Sequence, residues 1–123
     1  MIDYFPQSDF DKTTPPCRKE NIHPETLRKF NQAREIAGIP FDPTSAARTE
    51  KYEKEKGRPG TSSHVVSNTK KCRAMDIRIS SNSDRWIILN ALLEAGFTRI
   101  GIASGFIHAD DDPDKVQNVI WTY

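Results

Sequence analysis

Alternation of apolar and polar positions is clearest in two short stretches. Ala74-Met75-Asp76-Ile77-Arg78-Ile79 predicts a half-buried strand with Asp76 and Arg78 on one face. Phe106-Ile107-His108-Ala109-Asp110 alternates too, with Phe106, His108 and Asp110 on one side and Ile107 and Ala109 on the other. Elsewhere the spacing is helical. His23-Pro24-Glu25 reads as a helix start, and Leu27, Phe30, Ala33, Arg34 and Ala37 follow at helical intervals until Gly38 and Pro40 end it. Thr49 to Lys56 predicts a short charged helix stopped by Gly57. Ser81-Asn82-Ser83-Asp84 can cap a third helix carrying Trp86, Ile87, Leu89, Leu92 and Leu93, the most apolar of the three and expected to pack on the sheet with Trp86 at core or rim.

The connections complete the picture. Phe41 to Ser45 is a short candidate strand, Phe97 to Asp110 a hairpin turning at Ser104-Gly105, and Val116 to Tyr123 a last strand. Residues 1–20 are proline-rich and aperiodic, and read as an irregular arm anchored by Phe5 and Phe10. The expected architecture is a single α+β domain over residues 1–123, with a small, mainly antiparallel sheet flanked by helices near residues 23–37, 49–56 and 84–95.

Composition narrows the function classes. Eighteen basic residues against seventeen acidic leave a formal net charge of +1, which argues against bulk capture of nucleic acid. The bases cluster locally, at Arg48 to Arg58 and at Lys70 to Arg73, either as solvated faces or as a rim that attracts an anionic polymer. No apolar run is long enough to span a bilayer, and the first residues lack the basic and apolar segments of a secretory signal. Cys17 and Cys72 sit outside any Cys-x-x-Cys spacing and read as free thiols; Cys72, four residues before Asp76, is the alternative soft metal ligand.

Of three histidines, His64 and His108 belong to the segments that carry the candidate chemistry, whereas His23 reads as a surface residue at a helix start. Two imidazoles and the Asp76 carboxylate are suitable Zn²⁺ ligands, and three protein ligands leave a fourth position open, as catalytic sites require. Such a set would accept other divalent ions as well. Ser62 and Ser63 precede His64 without a Gly-x-Ser-x-Gly elbow, so they read as shaping its loop.

The order Ser45-x-x-Arg48, Ser62-x-His64, Ala74-x-Asp76-Ile77, Gly101-Ile102 and Phe106-Ile107-His108-x-Asp110 resembles the zinc D-alanyl-D-alanine carboxypeptidase family of peptidoglycan peptidases, from about Phe5 to the C-terminus. That family includes phage endolysins and L-alanyl-D-glutamate endopeptidases, and shares its core fold with the hedgehog signalling domain. The resemblance implies a zinc peptidase acting on the peptidoglycan stem, with His64, Asp76 and His108 as metal ligands. It implies that Arg48 binds a substrate carboxylate or orients the site, the alternative being a structural salt bridge.

Two departures stand out. The interval from His64 to Asp76 is twelve residues where about seven is usual, and the polar run Ser67 to Arg73 reads as a surface loop filling it. Gly105 occupies the position where several relatives carry an acid, so Asp110 is either the general base or a hydrogen-bond acceptor that fixes a ligand imidazole. The expected partner is the stem peptide, not nucleic acid or bilayer, and the protein is expected to be a monomer. A phage lysis protein kept in the host cytoplasm until release, or an enzyme carried by the virion, fits the apparent lack of a signal. The rival is a non-catalytic wall-binding or virion structural module that retains zinc.

Overall fold

The computed structural model describes residues 2–123; Met1, the first residue of the expected arm, lies outside them. Seven strands and four α-helices follow in the order α1 (Gln7–Asp11), α2 (Pro24–Ala37), β1 (Pro43–Ser45), β2 (Arg48–Thr49), α3 (Glu50–Glu55), β3 (Val65–Val66), β4 (Ala74–Arg78), α4 (Asn82–Glu94), β5 (Arg99–Ile102), β6 (Phe106–Asp110) and β7 (Val119–Thr122). The main sheet has the order β1-β4-β6-β5-β7, antiparallel throughout except for the β5/β7 pair. Strands β2 and β3 form a small parallel pair of their own. The α+β class and the mainly antiparallel sheet are those expected from the sequence.

Local chemistry sets the helix bounds. His23 caps α2 by accepting the Glu25 N–H, Pro24 fills the first turn, and Gly38 ends the helix at φ 68°, a left-handed conformation that costs glycine little. Ser81 Oγ accepts the Asp84 N–H to start α4, and Thr49 does the same for Tyr52 in α3. Helices α2 and α4 pack together over one face of the sheet. Phe30 meets Phe97 at 4.5 Å between centroids, and Ile88, Ala91 and Leu92 lie over the buried Met75, Ile77, Ile100 and Ile107.

Four expectations change. The N-terminal arm is not wholly irregular: it contains α1 and a 3₁₀ turn at Lys19–Asn21, although Phe5 and Phe10 are buried anchors. Trp86 is neither core nor rim, being 72 % exposed, because α4 is apolar on more than the stripe it buries. The segment between His64 and Asp76 loops outward only as far as Lys71. Cys72 then returns to the core, donating its N–H to Asn21 O and accepting from His23 N. The last strand begins at Val119, not Val116, and forms the sheet's edge.

Across the sheet, Cα partners fall in one row: Ser45, Asp76, His108, Gly101 and Trp121. Side chains along such a row share a face. Here that is the face away from α2 and α4. Gly101 is the slot in the row, since a Cβ there would lie 2.6 Å from Trp121 Nε1. The indole therefore lies over the backbone and reaches the His108 ring, 5.4 Å between centroids. Gly101→Ala is expected to cost about 1–3 kcal/mol in chemical denaturation, as overpacking does, and most of that cost should vanish in a Trp121→Ala background. Equal costs in both backgrounds would contradict this packing.

Candidate metal centre

Loop and strand deliver the three candidate ligands by different routes. Arg58 to Ser63 forms a loop rather than a strand, and Ser62 Oγ accepts the His64 N–H at 3.2 Å. His64 O in turn accepts from Arg48 N. Asp76 and His108 face each other directly across β4 and β6. His64 and His108 are buried, and Asp76 is nearly so.

The outer nitrogen of each ring is committed. His64 Nδ1 lies 2.7 Å from the Ala46 carbonyl oxygen and can serve it only as an N–H donor. His108 Nε2 lies 2.6 Å from Asp110 Oδ2, and donates likewise. The remaining atoms, His64 Nε2 and His108 Nδ1, converge 3.2 Å apart, at 3.2 and 3.0 Å from Asp76 Oδ1. Neutral rings so arranged point two lone pairs and a carboxylate oxygen at one spot. Only a cation satisfies that arrangement, either a proton or a metal ion.

A tetrahedral zinc bonded at roughly 2.0–2.2 Å needs donors roughly 3.4 Å apart, so the three atoms fit after a small outward shift. Among the described residues this trio is the group of His, Cys, Asp and Glu side chains able to hold a metal, its ligand atoms all within 4.8 Å of one another. Cys72 is not part of it. Its Sγ donates to Ala74 O, and burial pushes its thiol up to about 12, so it lacks the thiolate a metal would bind.

The electrostatics favour one proton in the metal-free site. Burial holds His64 below the ordinary histidine value despite its bond to Asp76, so it is neutral. Burial also acts against charge on His108, but hydrogen bonds to Asp110 and Asp76 outweigh it and hold its pKa above the ordinary value. Asp76 is ionised: burial would raise its pKa, yet the bonds to both imidazoles bring it well below the carboxylate range.

Around the trio is a cavity of about 330 Å³, lined also by Arg48, Arg58, Ser62, Lys115, Trp121 and Tyr123 among others. Arg48 is among these residues, its Nε 2.7 Å from Glu53 Oε1 and its Nη2 bonded to Ser62 Oγ. It therefore makes the structural salt bridge and faces the cavity as well. Asp110 is 1 % exposed and holds three partners: His108, Arg99 Nε at 2.7 Å and Asp112 N at 3.1 Å. Asp112 is equally buried, accepting from Ser63 Oγ and pairing with Lys70 and Lys115.

The sequence alone does not mark Glu53, Arg99 or Trp121 as part of the site, and marks Arg58 only as part of a basic run. Period two along β7 would have placed Trp121 and Tyr123 together, but no signal marks Glu53, whose charged neighbours read as a solvated face.

The family model described as Peptidase M15 matches residues 6–110. No curated protein and no solved structure matches the chain.

Because His108 holds a proton that a metal must displace, zinc affinity is expected to fall as pH drops through the His108 pKa, from a point above the ordinary histidine value. Competition titrations with a chromophoric chelator across that range check it. A pH-independent affinity would contradict the assignment.

Proposed function

We propose, since the chain belongs to the peptidase M15 family, that it hydrolyses a peptide bond of the peptidoglycan stem in a zinc-dependent reaction. The observation that carries this reading is the convergence of His64 Nε2, His108 Nδ1 and Asp76 Oδ1 beside an open cavity. Three donors leave a coordination position for water or substrate, the arrangement of catalytic rather than structural zinc sites. A bound ion there supplies a Lewis acid for the scissile carbonyl and lowers the pKa of water.

The chain's own residues divide the remaining work. Ala46 O and Asp110 accept from the outer nitrogen of each ring and so turn the ligating nitrogens, His64 Nε2 and His108 Nδ1, inward, which pre-orients the site. Asp110 has no free oxygen, and this supports its role as a positioning residue over that of general base. Arg48, buttressed by Glu53, presents guanidinium N–H groups to the cavity, where they bind a substrate carboxylate or a carbonyl oxygen that gains charge. Tyr123 stays protonated, its pKa raised by partial burial with the Asp76 charge adding, against the indole N–H of Trp121. It is a neutral O–H donor at the cavity mouth.

Bonds between D-amino acids, or the L-Ala-D-Glu bond, are the substrate class, and a phage or prophage lysis role fits it. No described helix is long and apolar enough to cross a membrane. Action as a monomer on the wall polymer after release belongs to the same reading. A second reading, a zinc-retaining wall-binding module, is favoured by one observation. Among the described residues the carboxylate side chains lining the cavity are Asp76, a ligand, and Asp110, bonded through both oxygens, so neither is free to act as a base.

Release of fragments from purified peptidoglycan separates the two. Chelator-sensitive release restored by Zn²⁺, with fragment masses that name a stem bond, is the expected result; zinc-loaded protein that binds wall without releasing fragments would support the module. Asp110→Asn is expected to weaken zinc affinity by about 10–100-fold while the protein still folds. Unchanged affinity would remove Asp110 from the site.

A further inference from the structure

Four cations line the cavity beside the metal ligands: Arg48, Arg58, Arg99 and Lys115. Arg99 is neutralised by Asp110 at 2.7 Å, and Lys115 lies 3.7 Å from Asp112. Arg48 takes Glu53 Oε1 at 2.7 Å. The acidic partner of Arg58 is that same Glu53, through Oε2 at 3.3 Å. One carboxylate, 1 % exposed, thus serves two guanidinium groups. A single negative charge balances one of them, so the Arg48–Glu53–Arg58 group carries one net positive charge at the cavity wall.

Geometry assigns that surplus to Arg58. Its side chain is 47 % exposed against 16 % for Arg48, and its contact with Glu53 is the longer of the two. It is nonetheless held in place. Gly57, at φ 71°, turns the chain at the end of α3 so that Arg58 N donates to Glu53 O at 2.9 Å, and the guanidinium rests 6.0 Å from the Tyr52 ring. Among the described residues Nη1 alone of its guanidinium nitrogens is hydrogen-bonded, leaving one edge of the planar fork free.

A held guanidinium with a free edge and no counter-charge of its own matches a planar carboxylate, which takes two parallel N–H bonds. Resting on the hydrolytic reading above, we propose that Arg58, positioned by Glu53, anchors a free carboxylate of the substrate and makes the site select acidic over amidated peptides. Arg48 then remains available for the reacting carbonyl.

The test is calorimetric titration of the zinc-loaded protein with an N-acetylated D,D-dipeptide bearing a free C-terminal carboxylate, and with the same dipeptide as its amide. Wild type is expected to prefer the acid by about tenfold to a hundredfold, the range of a charge-assisted pair. Arg58→Gln should bring the two to parity, and Arg58→Lys should recover part of the preference, since it keeps the charge without the fork. The Arg58 Nε–Hε resonance should shift with the acid and not with the amide, a change that a merely structural role would not produce.

Metal content and melting of each variant exclude misfolding, and if the Gln variant melts, the Lys variant and the resonance carry the test. A wild type without preference, or an Arg58→Gln protein that keeps it, overturns the proposal. Selective binding without cleavage of either peptide would sustain the anchor and overturn the hydrolytic reading for D,D bonds; cleavage of both at equal rates would do the reverse.

Discussion

The antiparallel register of β4 against β6 is the constraint on which the rest depends. It sets Asp76 opposite His108 and Ile77 opposite Ile107, so one pairing aligns two candidate ligands on one face and two core residues on the other. A slip of one residue would send both sets to the wrong side at once. The core therefore helps enforce the site: Met75, Ile77, Ile107 and Ala109 are fully buried beneath α2 and α4, and a one-residue slip of either strand would turn its pair of them to solvent. Gly101 and Trp121 extend the same row, which brings an indole against the His108 ring.

What the register cannot supply is the third donor and the protonation state. His64 enters on a loop, tied to Arg48 and Ala46 rather than to the sheet. Its ring and that of His108 are each fixed by a bond on the outer nitrogen, which turns two lone pairs inward against a carboxylate. Burying these groups is unfavourable unless a cation joins them. Behind the rings, Asp110 and Asp112 bind Arg99, Ser63, Lys70 and Lys115, so the acidic loop ties β5, β6 and the His64 loop together instead of facing solvent.

Much of this is legible from residue order alone. Alternation marked β4 and β6, caps marked α2 and α4, and the same two segments carried the candidate ligands. Other features depend on partners distant in sequence. Glu53 lies within a run of charged residues, and only the arrival of Arg48 and Arg58 makes its burial tolerable. Cys72 falls in a polar stretch, yet pairs with Ile22 fifty residues away. Trp86 reads as core or rim because it is apolar on an apolar helix, and periodicity cannot say which side of such a helix is covered. Asp110 was ambiguous for another reason: the hairpin sets Arg99 opposite it, but the pattern alone does not say that the guanidinium takes up its Oδ1.

One divalent ion is expected among His64 Nε2, His108 Nδ1 and Asp76 Oδ1. X-ray absorption at the zinc edge of the loaded protein tests it most directly. The expected spectrum shows nitrogen and oxygen neighbours only, at about 2.0–2.2 Å, with imidazole scattering from two rings. A sulfur at about 2.3 Å, or a protein that takes up no stoichiometric zinc, would contradict it.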